Sequence, residues 1–489
     1  MAPRRAAAAA VALAVLAAGC GTRVPDEEVR RLLAEPATSD QTLGGAASEV
    51  PEDVAGSPGA GGERRSGGQG TGDPAEDAGG GQAADGSDGG GGCTSNPGAT
   101  DVGVSGRRVL VGASYAESSL VPGQFRPAMD AIQAYVNMVN RQGGVCGRVL
   151  DFHFHNDGLN AQRYAENVQH LARDDRVFAM LGSLSAADSG GCGFMQDERP
   201  PRGMPDVGTF ALSYCRSQDD SHYSPMGSLK RGIYGCCTEW DWLRDRFGYR
   251  RPAVHYLDIE ISKDQGLAVA DALVRTLGLG GRDDVYLGEH SPAQFSYTGD
   301  VQEMQREEVD AVWSSMDLNN NVKLLRAMCQ QEWHPKVVHL EISAYDPELI
   351  RRVGPGCIRE LNVWMRSFHR PFSNPNAEVS LYVSTLRQYC PSCRPSTFGL
   401  EGWLSAKLFV EVLRAVGPDL TRERFYRAMD AVRNWTADGV MGPNTPSDRL
   451  IYHCNYLIRV QAGGFVQGRG MECGKFYRTG DYDGPPVGP

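Results

Sequence analysis

The stretch NRQGGVCGRVLDF, residues 140–152, separates a helical pattern from a strand-like one. The segment before it places apolar side chains on one helical face, namely Ala128, Ile132, Tyr135, Val136 and Val139. Pro127 suits the first turn of such a helix, and Gly143 and Gly144 predict its end because glycine adopts the left-handed C-terminal conformation without penalty. With the strand-like runs GRRVLVGASY before the helix and RVLDFHF after it, the segment predicts a βαβ unit.

The same alternation continues along the 489-residue chain. A helix is predicted from about Asn160, and strands are predicted over VFAMLGS (177–183) and MPDVGTF (204–210). Later, RPAVHYLD (251–258) precedes the helical run KDQGLAVADALVRTLG (263–278). This order predicts an α/β fold of doubly wound parallel sheets, and the length of the chain implies two such sheets.

The first 20 residues have the layout of a secretory signal, with two arginines, an apolar run from about Ala6 to Ala18 and small residues before Cys20. The run is too short to remain as a membrane-spanning helix. Its ending, LAAGC, resembles the lipobox of bacterial lipoproteins, although Leu16 stands one position earlier than that pattern prefers. The resemblance implies lipidation of Cys20. The alternative is an ordinary cleaved signal in which Cys20 has no role.

Residues 21–106 are rich in Gly, Ala, Ser and acids, so they are predicted to form a flexible tether that buries too little apolar surface to fold. Residues 21–100 carry 14 acidic residues against 5 arginines, and the whole chain has a net charge of −11. The folded part is therefore close to neutral, which argues against nucleic acid as a partner.

The 13 cysteines indicate an exported protein, because setting Cys20 aside leaves an even number that disulfides would use. We predict that Cys93 bonds into the folded part, while the remaining connectivity stays open. The motif CPSC resembles a redox dithiol. However, Cys390 follows an apparent helix instead of opening one, as a low thiol pKa requires. We expect Cys390 and Cys393 to lie in ordinary disulfides.

Nothing in the sequence predicts an enzyme, a cofactor or a metal. The chain has no Gly-x-Ser-x-Gly elbow, no His-Glu-x-x-His motif and no Walker loop. His153 and His155 alternate along one predicted strand, without a second histidine or cysteine pair at the spacing of zinc ligands. We therefore predict no metal site.

The segment AMDAIQAYVNMVNRQGGVCGRVLDFHFHNDGLNAQRYAENVQHL (128–171) resembles the opening of type I periplasmic binding proteins of the leucine/isoleucine/valine kind. The shared features are a helix, an Asn-x-x-Gly-Gly-Val-x-Gly turn, a strand ending in an acidic residue, and a helix. VFAMLGSLSA, MPDVGTF and REEVDAVWSSMD are similar to later family segments in the same order. The resemblance covers roughly residues 107–468 and implies two α/β lobes, joined by three hinge crossovers, that enclose a small ligand.

The resemblance also implies where the chain divides. Lobe 1 is expected over residues 107–234 and 370–432, and lobe 2 over 235–369 and 433–480, with a flexible tail over 481–489. Hinges are expected near Ile233, Phe368 and Asn434.

The lobe 1 side of the binding site is expected at two strand ends. Ser183 and Ser185 precede a predicted helix, whose N–H groups and dipole favour an anionic group such as an α-carboxylate; capping of that helix is the alternative. In the next turn, Thr209 would complete the carboxylate site and Phe210 would wall the pocket. Three alanines stand where amino-acid-binding relatives commonly present hydroxyls, namely Ala186, Ala187 and Ala211.

The lobe 2 side is expected after the strands VDAVWSS and KVVHLE, where Asp317 and Glu341 would hold a ligand ammonium. The resemblance gives that role to the Glu341 position, and capping or solvent exposure are the alternatives for both residues. Tyr115, Glu117 and Ser118 are weaker candidates for the rim of the cleft. Trp313 is expected to pack in the core of lobe 2.

These expectations define a receptor and not an enzyme. The leading hypothesis is a monomeric lipoprotein on the outer face of the cell membrane that passes a small polar solute, such as an amino acid or amide, to an ABC transporter permease. The permease is implied by the resemblance alone. The alternative is a ligand sensor or adhesion-type lipoprotein on the same scaffold, favoured by the alanine replacements and the long tether.

Overall fold

The computed structural model describes residues 98–117, 123–197, 203–208 and 211–487, apart from the side chains of 195–197 and of Cys236. The predicted signal with Cys20, most of the predicted tether and Cys93 lie outside these residues. Across the described ranges, no helix combines the length and the apolar character that crossing a bilayer requires.

Strands and helices alternate along most of the described chain. The strands are β1 (Arg108–Tyr115), β2 (Val149–Asn156), β3 (Ala179–Leu181), β4 (Asp206–Val207), β5 (His222–Tyr223), β6 (Ile233–Cys236), β7 (Pro252–Leu257), β8 (Tyr286–His290), β9 (Ala311–Ser314), β10 (Val337–Leu340), β11 (Val363–Ser367), β12 (Cys454–Gln461), β13 (Gly464–Cys473) and β14 (Lys475–Arg478). The helices are α1 (Arg126–Arg141), α2 (Ala161–Arg173), α3 (Cys192–Asp197), α4 (Tyr214–Ser217), α5 (Thr238–Phe247), α6 (Glu260–Leu277), α7 (Thr298–Arg306), α8 (Leu318–Gln330), α9 (Pro347–Val353), α10 (Pro355–Glu360), α11 (Ala377–Tyr389), α12 (Thr397–Val416) and α13 (Arg422–Asp430).

The stretch that joins α1 to β2 folds as predicted. Helix α1 ends at Arg141, and Gly143 and Gly144 both have positive φ, 99° and 73°. A tight turn then reverses the chain, since the N–H groups of Val145 and Arg148 donate to each other's carbonyl oxygens at 2.8 and 3.0 Å. The helix is thus stopped by glycine, and the turn directs the chain into β2.

Asn140 fastens the end of α1 to the outer edge of β2. Its side-chain oxygen accepts from the Leu150 N–H at 2.7 Å, and its Nδ2 donates to the Leu150 carbonyl at 2.8 Å. We expect Asn140→Ala to lower the free energy of unfolding by about 2 kcal/mol, because two hydrogen bonds are lost and the buried Leu150 keeps unpaired backbone groups. Urea unfolding of both proteins measures this.

Asn137→Ala is the matched control on the same helix, because the Asn137 amide oxygen accepts a single hydrogen bond within the described ranges, from Gln133 at 3.1 Å. We expect it to cost under about 0.5 kcal/mol. An Asn140→Ala variant as stable as the control would refute the fastening role.

The first sheet has five parallel strands in the order β2-β1-β3-β4-β5. Helices α1, α11 and α12 pack together against one face, so residues far apart in the chain share one core. Trp403 lies at the centre of this core, fully buried and edge-on to Tyr135 at 4.6 Å between ring centroids.

The second sheet has seven strands in the order β13-β12-β11-β10-β9-β7-β8. Strands β7 to β11 are parallel, as predicted, and Trp313 is buried in the core at 1% exposure. The two outer strands β12 and β13 are antiparallel, which the sequence reading did not predict. A tight turn joins β12 to β13, which accounts for the antiparallel direction of that pair because parallel strands need a longer crossover.

The chain passes between the two sheets three times, after β5, after β11 and after α13, which confirms the predicted two-lobed fold with three crossovers. The third passage comes later than the predicted boundary at residue 433, since Val440 and Met441 pack in the core of lobe 1. Asn444 holds this loop to lobe 1, because its Nδ2 lies 3.0 Å from the carbonyl oxygens of both Ser224 and Pro225.

The segment predicted as a flexible tail instead makes ordered contacts over residues 481–487. The Arg275 guanidinium donates to the carbonyl oxygens of Asp481 at 3.0 Å and Tyr482 at 2.6 Å, and the Val487 N–H donates to Phe476 at 2.8 Å. The sequence gives no sign of these contacts, because Arg275 lies about 200 positions earlier, on α6.

Arg148 is the buried clamp of lobe 1, with 1% of its surface exposed. Its Nε donates to the carbonyl of Ser105 at 2.8 Å, and its Nη atoms donate to Pro418 at 2.7 Å and Gly98 at 3.1 Å. One side chain thereby joins the first described residues, the α12–α13 loop and the turn before β2.

Disulfides fasten both lobes, as the cysteine count predicts. The bridges with both partners described are Cys192–Cys215, Cys329–Cys357, Cys390–Cys393 and Cys454–Cys473. Cys146 and Cys237 are also disulfide-bonded. Cys390 caps the C terminus of α11, as predicted, and its partner is the other cysteine of the CPSC motif.

Candidate functional site

A cavity of about 190 Å³ lies between the lobes, at the carboxyl ends of the parallel strands. This is where open α/β sheets bind ligands. Lobe 1 and the residue after β11 contribute Gln124, Phe125, Leu184, Ala186, Leu212, Phe368, Phe398 and Glu401. Lobe 2 contributes Leu257, Ile259, Ile261, Ser262, Gln265, Ser315, Met316, Asp317, Glu341, Ile342 and Ser343. Most of these side chains are apolar, so the few carboxyl groups are the main polar groups that a ligand in the cavity would meet.

Glu401 is the isolated carboxyl of this cavity. It lies in the second turn of α12 with 4% of its surface exposed, beside Phe398 in the lining. Among the described residues, no hydrogen-bond donor or cation contacts its carboxyl group. Burial alone raises the pKa of Glu401 to about 8, so the group is mainly protonated at neutral pH.

Glu341 lies on the opposite wall and is already paired. Arg366 Nε donates to Glu341 Oε2 at 2.9 Å, and Arg366 also lies 3.7 Å from Glu239. Burial raises the pKa of Glu341, while the Arg366 charge opposes that rise. The predicted ammonium-binding role of Glu341 stays a prediction, in which Arg366 would compete with the ligand.

Asp317 lines the cavity but also caps a helix. Its Oδ1 accepts from the backbone N–H groups of Asn319 at 2.7 Å and Asn320 at 3.1 Å, at the start of α8. Capping was the alternative given from the sequence, and it is the role that the contacts show.

Ser183 and Ser185 are buried, and their hydroxyl groups are used inside lobe 1. Ser183 Oγ accepts from the Ser114 N–H at 3.2 Å, and Ser185 Oγ donates to Asp157 Oδ1 at 2.9 Å. The cavity lining at this turn comes from Leu184 and Ala186 instead. The turn leads into a 3₁₀ segment and then into α3, which the structure describes as far as Asp197. The predicted anion-binding role of this turn stays a prediction.

Tyr115 does not belong to the lining of this cavity. Its hydroxyl donates to Glu117 Oε2 at 2.9 Å, and Arg126 lies 3.2 Å from the same carboxylate. Burial and the neighbouring Glu117 raise the pKa of Tyr115 to about 12. Thr209, Phe210 and Ser118 lie outside the described residues, so their predicted roles stay predictions.

The sequence reading therefore placed Asp317, Glu341 and the Ser183–Ser185 turn near the cavity but missed Glu401. Ligand-binding residues were sought in the loops that follow the strands. Glu401 instead projects from α12, in the segment by which the chain returns to lobe 1 after β11. One signal was available, since a lone acid in the otherwise apolar run TFGLEGWLSA is unusual for a buried helix.

Comparison with known proteins accounts for this architecture. A family model described as periplasmic binding protein matches residues 108–464. The chain belongs to this family. No curated protein matches the sequence.

Solved structures of other members share the fold at low sequence identity. The branched-chain amino acid transporter substrate-binding protein LivJ of Streptococcus pneumoniae, in complex with isoleucine, is 12% identical with a TM-score of 0.61, covering 75% of this chain and 99% of that one. The leucine-binding protein LivK of Thermotoga maritima is 13% identical, with a TM-score of 0.60 and coverage of 74% and 98%. The fatty acid ABC transporter substrate-binding protein of Thermomonospora curvata is 16% identical, with a TM-score of 0.61 and coverage of 80% and 97%.

Membership of the periplasmic binding protein family makes this chain a solute-binding protein. The family is one of binding proteins.

Proposed function

We propose that the protein is an extracytoplasmic, lipid-anchored receptor that captures a small solute between its lobes and delivers it to an ABC transporter permease. The observation that carries the proposal is the cavity at the strand ends, to which both lobes contribute side chains. Such a site encloses a ligand when the lobes hinge together. The lipid anchor rests on LAAGC and Cys20, and the permease rests on the family.

The solute that fits this cavity has an apolar body and one nitrogen-bearing polar group. The lining is mostly aliphatic and aromatic, and Glu401 offers an unpaired carboxyl on the lobe 1 side. An ammonium group would favour the ionised form of Glu401 and displace its proton, whereas an amide N–H would donate a hydrogen bond to it. The volume of about 190 Å³ is below that of typical drug-binding pockets, roughly 300 Å³ or more. An apolar amine or amide satisfies these conditions, as does the ammonium end of an apolar amino acid.

The experiment is a melting-temperature screen of the chain lacking residues 1–20, with its disulfides oxidised. Apolar amino acids, amides and amines are compared with sugars, short organic acids and fatty acids, because a ligand that binds only the folded state raises the melting temperature. Glu401→Gln is the test variant. Glu423→Gln is its control, since the Glu423 side chain is 77% exposed on α13.

We expect stabilisation by nitrogen-bearing apolar solutes, which Glu401→Gln weakens and Glu423→Gln preserves. Stabilisation by fatty acids alone would refute the proposed solute class but keep the receptor. Cooperative melting without a shift for any class would refute solute capture and favour the sensor or adhesion alternative.

A further inference from the structure

A cluster of histidine and aspartate side chains lies at the edge of the first sheet, in lobe 1. His153 and His155 project from the edge strand β2, His170 lies in the last turn of α2, and Asp175 follows that helix. The nearest ring nitrogen of each histidine is 3.7 to 3.9 Å from an Asp175 carboxylate oxygen. Three imidazoles therefore surround one carboxylate.

These separations fit coordination better than hydrogen bonding. A nitrogen and an oxygen that share a proton lie about 2.7–3.2 Å apart, whereas two ligands of a tetrahedral zinc ion lie about 3.4 Å apart, given bond lengths of about 2.0–2.1 Å. The coordinating atoms of His155, His170 and Asp175 all lie within 4.8 Å of one another. Small side-chain rotations would bring them to one ion.

Two further aspartates favour one position of the proton on two of the imidazole rings. His170 Nδ1 lies 2.8 Å from Asp174 Oδ2, and His153 Nε2 lies 3.1 Å from Asp151 Oδ1. A ring N–H that donates to a carboxylate leaves the lone pair on the other nitrogen, which in both histidines is the one facing Asp175. Metal-ligating histidines are oriented in this way by an outer carboxylate.

His155 completes the cluster with an unused nitrogen. Its Nε2 is buried and has no hydrogen-bond partner among the described residues, although it faces Asp175 at 3.7 Å. The rings of His155 and His170 are nearly perpendicular, at 88°, with centroids 5.3 Å apart. An orphaned nitrogen beside a carboxylate is what a missing cation would satisfy.

We propose that His155, His170 and Asp175 form a binding site for a divalent transition metal ion of the zinc class, with His153, 3.9 Å from Asp175, as a fourth ligand once its side chain rotates. Imidazole and carboxylate are ligands that such ions accept. The charge also suits a dication, since the carboxylates of Asp151, Asp174 and Asp175 lie within or beside the cluster; Arg108 offsets part of it, at 3.4 Å from Asp151. The sequence-based prediction of no zinc site considered only spacing along the chain, whereas in the fold His170 and Asp175 come to β2 from α2 and the residues after it.

The bound ion would join the C-terminal end of α2 to the edge strand β2. The site is separate from the cavity between the lobes, so it does not depend on the proposed solute. Side-chain exposures of 45% for His153 and 48% for His170 leave it open to ions from the solvent.

The test measures Zn²⁺ binding to the untagged chain lacking residues 1–20, with its disulfides oxidised and its metal removed by a chelator. Oxidation matters because the other candidate groups among the described residues contain Cys390 with Cys393 and Cys454 with Cys473, whose sulfurs are bonded to each other. Equilibrium dialysis gives the stoichiometry and affinity, and the absorption spectrum of the Co²⁺ form reports tetrahedral geometry.

We expect one Zn²⁺ per chain, and at least a tenfold loss of affinity in His155→Ala and in His170→Ala. Asp174→Asn, at a 69% exposed position that leaves the fold intact, should weaken binding about 10- to 100-fold. His334→Ala is the matched control, because His334 is a 40% exposed histidine whose one ion pair in the described part of the chain is with Glu360, at 3.6 Å. Absence of binding by the wild type would overturn the site. Equal affinity in His155→Ala, Asp174→Asn and the control would also overturn it, by showing nonspecific binding to histidine.

Discussion

Asp206→Asn is expected to lower the free energy of unfolding by about 3–5 kcal/mol, the cost of leaving a buried charge without its partner. Asp206 is completely buried on β4, where its Oδ2 pairs with the Arg216 guanidinium and lies 2.8 Å from His222 Nδ1. Arg216 is 2% exposed, and burial lowers its pKa to about 10. With a neutral asparagine in place of Asp206, that buried guanidinium would lose the carboxylate it pairs with, and the nearby Asp219 charge would offset only part of the loss.

Urea unfolding followed by circular dichroism measures the effect. Asp419→Asn is the control, because Asp419 pairs with Arg424 at 3.0 Å on the surface, where such pairs contribute under about 1 kcal/mol. The double variant Asp206→Asn/Arg216→Met should recover part of the loss, since it removes the unpaired charge. If Asp206→Asn lowers the free energy of unfolding no more than Asp419→Asn does, the Asp206 carboxylate does not compensate the buried charge of Arg216.

Glu401 is expected to make the protein less stable as the pH rises from 5 to 8. Its folded pKa of about 8 lies above that of an unfolded glutamate, so between these values the folded state holds a proton that the unfolded state has lost. Stability therefore falls as pH rises through this window, by on the order of 3 kcal/mol in total. The loss stops above the folded pKa, where both states are ionised.

Glu401→Gln removes this titration without changing the size of the side chain. We expect the variant to match the wild type near pH 5 and to exceed it in stability at pH 8, whereas Glu423→Gln should follow the wild type throughout. Thermal unfolding at several pH values provides the comparison. Identical pH profiles for Glu401→Gln and the wild type would show that the Glu401 carboxyl finds solvent or a partner in solution.

The fold was largely predictable because its strongest signals are local. The face of α1, the two glycines after it and the alternation of β2 lie within one short stretch, and each follows from helix or strand geometry. The C-terminal contacts of Arg275 were not predictable, since they join α6 to a segment about 200 positions later in the chain.

The candidate site was predictable only in part, for the same reason. The strand-end rule located Asp317 and Glu341, but the sequence does not show that Arg366 occupies the Glu341 carboxylate. Likewise, His170 reaches the histidine cluster because α2 packs beside β2. Glu401 reaches the cavity because α12 belongs to the segment by which the chain returns to lobe 1. Each of these depends on a tertiary contact that no local pattern encodes.

The clamp formed by Arg148 determines which lobe a pulling force reaches first. The chain enters the folded region beside Gly98, whose carbonyl Arg148 holds at 3.1 Å, and the Asp101 carboxylate accepts from the Arg422 N–H at 2.6 Å. Both attachments lie within lobe 1, and the two residues held, Gly98 and Asp101, precede the first strand. Tension arriving along the preceding residues would therefore load lobe 1 alone, while the crossovers carry none of it. Lobe 1 would be the lobe held in place, and lobe 2 would remain able to move about the crossovers.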